Sequence, residues 1–361
     1  MRKFRPDVSG RRGPSLTLGV LDQSPIRAGW NPGDAITETV ALARAAERLG
    51  YRRYWVAEHH SSEAFAGTAP EILVAHLAAV TSTLRIGSGG VMLNHYSPLK
   101  VAETFRVLEA LYPGRIDLGI GRAPGGDGPT ARALRNGQDP IGPDHFSDQV
   151  ADLLDFLRNE IPPDHKFPTV CAQPKGSTAP EPWLLGSSEH GAAQAAQFGC
   201  SFSFAHFINP ANGVSAVEEY RRRFRPSVWL AAPRVSVCVF VLCADTEREA
   251  HRLALSRDLW GLRVSQGMMG PFPPVEEAER YRCASQELPI VAAGRNTRIV
   301  GAPEQVRERL LELAKDYGVD EILVLSVCFD PAARLRSYEL LAESVIQQDL
   351  ASEPTDRSGR D

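Results

Sequence analysis

The stretch LRIGSGGVMLNHYSP, residues 84 to 98, decides the fold when it is read together with RIDLGIGRAPGGDG at residues 115 to 128. Each stretch begins as an apolar run and ends in glycines and polar residues, and a helix-like pattern that starts at Pro98 separates them. This order is typical of a strand–helix–strand unit in a parallel sheet. Ligands bind beyond the carboxyl ends of such strands, so the glycines and polar residues predict a site there.

The rest of the chain repeats the alternation of strand and helix. Strand-like runs lie at 16–22, 51–58, 182–188, 200–208, 234–244 and 320–329, in addition to the two stretches above. Eight strands alternating with helices predict a (β/α)8 TIM barrel, with insertions after strands 4 and 7, as one domain over residues 15 to 348. A doubly wound sheet is the alternative, but it would leave strands unused.

Local signals set the expected boundaries. The first helix is expected to be capped by Asp34 and to end at Gly50. The segment between Arg122 and the helix predicted from Asp148 is too rich in turn residues for regular structure. The segments 59–69 and 264–299 are long and carry glycine or proline, which makes them candidate lids.

Composition limits the function classes. The chain of 361 residues is 43% hydrophobic and carries a net charge of -4, which argues against a nucleic-acid or membrane-surface role and favours a small-molecule partner. None of the six cysteines forms a CxxC pair, as expected in a reducing compartment such as the cytoplasm. Residues 1–14 lack the apolar run of a signal peptide, and we expect them and residues 351–361 to be disordered.

Two glycines interrupt the third strand. Gly89 and Gly90 lie in an otherwise apolar run, where glycine marks a bulge or the close approach of something flat. A flat ligand ring is the functional interpretation, and crowding against neighbouring elements is the alternative. We expect valine at either position to block such a ring and to leave the strand folded.

Two further groups could bind phosphate. Arg122 follows the fourth strand beside glycines, where a guanidinium can bind phosphate in bidentate fashion, although a solvated or salt-bridged arginine is the alternative. Gly186, Ser187 and Ser188 stand between the fifth strand and a helix, where they offer hydroxyls and free N–H groups or simply an N-cap. The run GIGRAPG lacks the third glycine and the immediate helix of a dinucleotide-binding motif.

Histidines follow the second strand. His59 and His60 are adjacent, so their side chains are expected to point in opposite directions, which disfavours a metal pair and predicts no metal site. At least one of them is expected at the barrel mouth, where an imidazole that titrates near neutral pH could move a proton. Glu58, His95 and Tyr96 face the same crevice, and any of these side chains could be structural.

The chain resembles the bacterial luciferase-like flavin-dependent monooxygenases, a class that includes natural-product biosynthetic enzymes. The resemblance is carried by AEHHSSEAFAG through RIDLGIGRAPGGD at 57–127, by LDQSPI at 21–26, LLGSSEHGAAQAAQFG at 184–199, VGAPEQVRERL at 300–310 and ARLRSYELLAE at 333–343. It covers about residues 15 to 348.

The resemblance implies a barrel that binds reduced FMN, with a flavin ring against Gly89 and Gly90, which family members often join by a cis peptide. It implies that Arg122, Ser187 and Ser188 bind the phosphate, and it matches His59 or His60 to active-site histidines. His190 is a less certain match for phosphate binding.

The implied function is a monooxygenase that uses reduced FMN and O2 to oxygenate a small organic substrate, as a dimer supplied by a separate flavin reductase. A deazaflavin-dependent hydride-transfer oxidoreductase and a non-catalytic flavin-binding protein are the alternatives.

Overall fold

A computed structural model describes residues 16–138, 143–158 and 161–347 of the chain. Within these ranges nine strands form one parallel sheet in the order β6-β5-β4-β3-β2-β1-β9-β7-β8, which a further pairing of β6 with β7 closes into a barrel. The strands are β1 (Thr17–Asp22), β2 (Arg53–Val56), β3 (Arg85–Met92), β4 (Ile116–Gly121), β5 (Glu181–Gly186), β6 (Ser201–Ala205), β7 (Val235–Cys243), β8 (Arg298–Gly301) and β9 (Glu321–Leu325).

Eight of these strands make the closed barrel, so the predicted TIM-barrel fold is confirmed. The ninth strand, β8, pairs with Phe240–Cys243 at the end of β7, and β9 pairs with Val237–Phe240 of the same strand. The sequence did not predict β8, because its four residues lie within a segment that has no strand pattern of its own.

Helices separate the strands and cover the barrel. They are α1 (Pro32–Leu49), α2 (Pro70–Ala79), α3 (Pro98–Leu111), α4 (Gly128–Leu134), α5 (Pro143–Arg158), α6 (Glu189–Phe198), α7 (Gly213–Arg223), α8 (Glu247–Ser265), α9 (Val275–Arg280), α10 (Leu288–Asn296), α11 (Pro303–Tyr317) and α12 (Pro331–Leu341). Short turns at Leu93–His95 and Ala342–Ile346 add a 3-10 and a π turn.

The cap of α1 differs from the prediction. Asn31 is the N-cap: its side-chain oxygen accepts a hydrogen bond from the backbone N–H of Asp34, and the Asp34 carboxylate accepts one from the backbone N–H of Asn31. Asp34 is therefore the third helical residue of a capping box rather than the cap. The predicted end at Gly50 is confirmed, since this glycine has φ 86° and terminates the helix in the left-handed region.

Two segments contain regular structure that the sequence did not predict. The segment after β4 contains α4, which Asp127 caps by accepting from Thr130 N, and α5 begins at Pro143 rather than at Asp148. The segment 264–299, for which no helix or strand is predicted, contains α9, α10 and the start of β8. The helices α4, α9 and α10 are short, and short helices give weak periodic signals.

Charged residues close the barrel interior at the amino ends of its strands. Arg53 is fully buried and forms ion pairs with Asp117 and Glu321, and Trp55 Nε1 donates to Asp117 at 2.9 Å. Trp183 packs edge-on against Trp55, with ring centroids 5.2 Å apart. Side chains therefore fill the barrel interior at the amino ends of the strands, and the space for a ligand lies at their carboxyl ends.

Three further expectations concern the chain ends, the domain bounds and the membrane. The predicted disordered tails, 1–14 and 351–361, lie outside the described residues. The single domain over residues 15 to 348 stays a prediction. Among the helices of the described ranges, none has both the length and the apolar content needed to cross a bilayer.

Candidate functional site

A cavity of about 390 Å³ opens at the carboxyl ends of the barrel strands. Its wall includes all six residues that the sequence predicted to bind a cofactor, namely Gly89, Gly90, Arg122, Gly186, Ser187 and Ser188. Most of the remaining wall is apolar and comes from the barrel interior and from α5, including Leu21, Trp55, Ile120, Phe146, Leu185, Phe207 and Leu323. The parallel topology therefore brings residues from separate strand ends to one cavity.

Gly89 and Gly90 present bare backbone to this cavity, and the peptide bond between them is cis. The pairing of β3 with β4 shifts register between Ser88 and Val91, so the strand bulges at these glycines. The neighbours are also close: a Cβ atom added at Gly90 would lie 2.8 Å from the carbonyl oxygen of Gly119.

The crowding interpretation of this glycine pair is confirmed, and the flat-ring interpretation stays a prediction. The glycines line the cavity, and a Cβ atom at Gly89 would also lie 2.5 Å from Leu21 Cδ1. The expectation that valine at Gly90 leaves the strand folded stays a prediction, and the crowding at this position speaks against it, because a backbone atom cannot yield as a flexible side chain can.

Arg122 directly follows β4 and is exposed at the cavity wall. Within residues 16–138, 143–158 and 161–347 its guanidinium has no hydrogen-bond or ion-pair partner, whereas its backbone carbonyl accepts a hydrogen bond from Asn94 Nδ2 at 2.8 Å. A guanidinium without a protein partner at the edge of an apolar cavity can bind the anionic end of a ligand.

Ser187 and Ser188 place the amino terminus of α6 at the same cavity. Ser188 is the N-cap, and its hydroxyl accepts from Gly191 N at 3.5 Å, so the N-cap interpretation is realised. The carbonyl of Ser187 accepts from Asn209 Nδ2 at 3.4 Å. The first N–H groups of a helix favour anions, so this terminus can also contribute to anion binding. His190 is exposed in the first turn of α6.

Neither His59 nor His60 is part of the cavity wall. The ring of His59 packs on Phe65 with centroids 4.3 Å apart, and its Nδ1 is buried without a hydrogen-bond partner. Burial, together with the neighbouring His60, lowers the pKa of His59 to about 4. The expectation of an imidazole that titrates near neutral pH is therefore wrong for His59, and the catalytic role of either histidine stays a prediction.

Glu58 organises the residues around His60. Its carboxylate is fully buried and accepts from His60 Nε2 at 2.7 Å, from the Tyr96 hydroxyl at 2.7 Å and from Met92 N at 2.9 Å. Burial and this carboxylate raise the pKa of Tyr96 well above its usual value, so Tyr96 stays protonated. Glu58 thus joins the end of β2 to the end of β3.

The predicted lid at 59–69 is attached to the body of the barrel. Ile26 N donates to Ala64 O at 2.8 Å, and Ala66 N donates to Ser24 O at 2.9 Å. Phe65 packs against Trp260 and Phe272, so the insertion after β7 reaches the same corner of the barrel mouth. The lid role of both segments stays a prediction.

Several cavity residues were not singled out from the sequence. Ser203, Ala205 and Phe207 line the cavity from β6 and the turn after it, and Gln194 reaches it from α6. The period of two in SFSFAHF was the available signal for the first three, since alternate residues of a barrel strand point inward. Gln194 had no such signal.

The model of the luciferase-like monooxygenase family matches residues 16–321. The chain is 48% identical to the protein YwcH of Bacillus subtilis (strain 168), over 91% of this chain and 99% of that protein. It is 36% identical to N-acetyl-S-alkylcysteine monooxygenase of the same organism, over 92% and 98% of the two chains. The crystal structure of apo-MsnO8 superimposes with a TM-score of 0.84, at 41% identity over 91% of this chain and 98% of that chain.

Two more distant solved structures share the fold. One is the oxygenating constituent of 3,6-diketocamphane monooxygenase of Pseudomonas putida in complex with FMN, with a TM-score of 0.67 at 21% identity over 92% of this chain and 99% of that chain. The other is an F420-dependent secondary alcohol dehydrogenase, with a TM-score of 0.65 at 16% identity over the same shares. The family resemblance found in the sequence is confirmed: the chain is an oxidoreductase that belongs to the luciferase-like monooxygenase family.

Proposed function

We propose that this protein is a monooxygenase that uses reduced FMN and O2 to oxygenate a small organic substrate, with a separate reductase supplying the reduced flavin to a homodimer. One observation carries the proposal: a single apolar cavity has bare backbone at Gly89 and Gly90 in its wall, and also Arg122 and the amino terminus of α6. A ligand with a flat apolar ring and an anionic end fits this set of residues.

The anionic end of FMN matches the polar part of the wall. Arg122 offers a guanidinium with no other partner in the described residues, and Ser187 and Ser188 precede the free N–H groups of α6. A phosphate gains charge-assisted hydrogen bonds from the first and a favourable helix terminus from the second. Riboflavin, which lacks the phosphate, would gain neither.

The ring end matches the apolar part of the wall. Gly89 and Gly90 leave no side chain between a ring and the backbone, and Leu21, Trp55 and Leu185 surround them. These side chains exclude water from the ring, and reactions of reduced flavin with oxygen depend on such exclusion. The residues present therefore fit a flavin.

Reduced FMN, when bound, supplies the electrons with which O2 is activated. The protein's contribution is binding, orientation and proton handling. Its low pKa keeps His59 neutral at pH 7, and its unpartnered Nδ1 is available for a hydrogen bond. The carboxylate of Glu58 accepts a hydrogen bond from Nε2 of His60, which orients that ring. We propose His59 or His60 as the proton-handling group.

A separate reductase is proposed because the chain offers no nicotinamide-dinucleotide motif after β4. In a dinucleotide fold the helix begins directly after the glycine turn. Here α4 begins only at Gly128, after Arg122, Pro124 and two further glycines, so no helix directly follows the strand. This arrangement supports an enzyme that receives flavin already reduced.

An anaerobic titration tests the proposal. The protein is titrated with reduced FMN and, in parallel, with a reduced deazaflavin, and oxygen is then admitted with a candidate substrate such as an N-acetyl-S-alkylcysteine. We expect preferential binding of reduced FMN and an oxygenated product that carries one atom of ¹⁸O from ¹⁸O2.

The alternatives give different results in the same experiment. Preferential binding of the deazaflavin with hydride transfer to a substrate, and no need for oxygen, would support the hydride-transfer oxidoreductase. Tight binding of reduced FMN with no oxygenated product from any member of a broad substrate panel would support the non-catalytic flavin-binding protein.

A further inference from the structure

We propose that Asn94 and His95 are positioning residues that hold the Arg122 loop, residues 122–126, in the place where its guanidinium meets the ligand phosphate. The inference rests on the proposed function and adds to it the side chains that fix the phosphate-binding arginine. Neither Asn94 nor His95 lines the cavity, so they act through the loop rather than on the ligand.

Two side chains bind successive parts of the Arg122 loop. Asn94 Nδ2 donates to the carbonyl of Arg122 at 2.8 Å, and His95 Nε2 meets the carbonyl of Pro124 at 2.7 Å. A carbonyl oxygen only accepts, so His95 carries its proton on Nε2. Its Nδ1 is buried without a partner, which identifies the bond to Pro124 as the polar contact that holds this ring.

A backbone bond completes the attachment. His60 N donates to the carbonyl of Gly125 at 2.7 Å, so three of the four carbonyls from Arg122 to Gly125 are bound. The Arg122 loop contains Gly125 and Gly126, which give it large conformational freedom, and Gly125 has φ 65°. The three hydrogen bonds to its carbonyls restrict the conformational freedom that these glycines give the loop.

The guanidinium itself has no partner in the described ranges that would fix it, so the backbone decides where the side chain of Arg122 starts. Asn94 and His95 lie in the turn Leu93–His95, directly after the strand that contains Gly89 and Gly90. Gln149 of α5 also binds this turn, donating to the carbonyls of Leu93 and Tyr96 at 3.4 Å each.

One continuous segment, residues 89 to 95, therefore contains both the glycine pair and the two side chains that bind the Arg122 loop. The distance between the glycine pair and the Arg122 loop is set by the short chain from residue 90 to residue 94 and by the hydrogen bonds of Asn94 and His95 to the loop. A shift of this segment would therefore move the glycine backbone and the Arg122 loop together.

The test compares reduced FMN with reduced riboflavin, titrated anaerobically by calorimetry into the full-length protein. Asn94→Ala and His95→Leu are each expected to weaken FMN about three- to tenfold, the effect of losing one neutral hydrogen bond, and to change riboflavin less than about twofold. His95→Gln, which keeps a donor near the position of Nε2, is expected to restore most of the FMN affinity. Asn212→Ala is the matched control, because this exposed asparagine makes no side-chain cap bond.

Two further measurements separate positioning from general damage. In an Arg122→Ala background, adding Asn94→Ala is expected to cause little further loss of FMN affinity, since both changes act through one guanidinium. Hydrogen exchange in the ligand-free protein is expected to rise in the peptide that covers residues 119–130 and to stay unchanged in β6 and β7.

Equal losses for FMN and riboflavin, unchanged FMN binding in both single variants, or fully additive effects with Arg122→Ala would each overturn the positioning role. If Arg122→Ala itself weakens FMN no more than riboflavin, the phosphate role in the proposed function fails and the inference fails with it. That outcome is recognised from the Arg122 variant alone, so the two failures are distinguishable.

Discussion

Replacing Arg122 with alanine removes the cation from the cavity and leaves the rest of the wall in place. The side chain is exposed, and its guanidinium has no hydrogen-bond or ion-pair partner in the described part of the chain, so no buried group loses a partner. We expect the free energy of unfolding to stay within about 0.5 kcal/mol of the wild-type value. A change in ligand affinity would then report the ligand contact itself.

The expected loss follows from the exposure of the side chain. A hydrogen bond to a charged group contributes about 1.5 to 3 kcal/mol, and solvent screening places an exposed guanidinium at the lower end of that range. We therefore expect reduced FMN to bind about tenfold more weakly, a difference of about 1.4 kcal/mol. Reduced riboflavin is expected to bind with unchanged affinity, because it has no phosphate.

Anaerobic calorimetry at two ionic strengths measures this difference. Salt is expected to weaken FMN binding to the wild-type protein more than to Arg122→Ala, because screening acts on the exposed charge pair. Arg52→Ala is the control, since Arg52 is also exposed but stands at the amino end of β2, opposite the cavity. An unchanged FMN dissociation constant, or an equal loss for riboflavin, would refute the phosphate-binding role.

Three other predictions concern the glycine pair, the histidines and the buried acid of β1. Gly90→Ala is expected to lower the free energy of unfolding by about 1 to 3 kcal/mol in urea, because its Cβ would lie 2.8 Å from a backbone carbonyl oxygen of β4. Gly186→Ala is the control, since its Cβ would meet its nearest atoms at 3.5 Å. His59→Ala is expected to bind reduced FMN within about twofold of wild type and to release more of the consumed O2 as H2O2, measured with a peroxidase-coupled assay. Burial alone would raise the pKa of Asp22, but Arg334 and hydroxyl donors lower it below 3.8. The stability that the ionised Asp22 provides is therefore present above about pH 4, and it is lost as the pH falls through the lowered pKa. Asp22→Asn is expected to flatten that pH dependence and to destabilise the protein by about 3 kcal/mol, as seen in urea melts across pH 2 to 7.

Each of these has a clear contrary result. Wild-type stability of Gly90→Ala would mean that β3 and β4 can separate at this point. Unchanged coupling of O2 consumption to product in both His59→Ala and His60→Ala would move the proton-handling role elsewhere, with Tyr96 and His95 next to be tested. An undiminished pH dependence in Asp22→Asn would assign the acid sensitivity to other carboxylates.

The sequence by itself determined the barrel and the end at which the cavity opens. Apolar runs of strand length and helices of period 3.6 are local patterns, and each reports which face of its own element is buried. Because parallel strands all present their carboxyl ends to one side, glycines and polar residues after separate strands had to meet there. Arg122, Ser187 and Gly89 were placed correctly at the cavity wall for this reason.

The tertiary structure alone decided which polar side chains bind one another. His59 and His60 both follow β2, but only the packing shows that His60 meets Glu58 and that His59 stacks on Phe65 outside the cavity wall. The bonds from Asn94 and His95 to the Arg122 loop join residues about 30 positions apart, and the register and twist of β3 against β4 set their geometry. Periodicity describes one element at a time, so it carries no information about such contacts between elements.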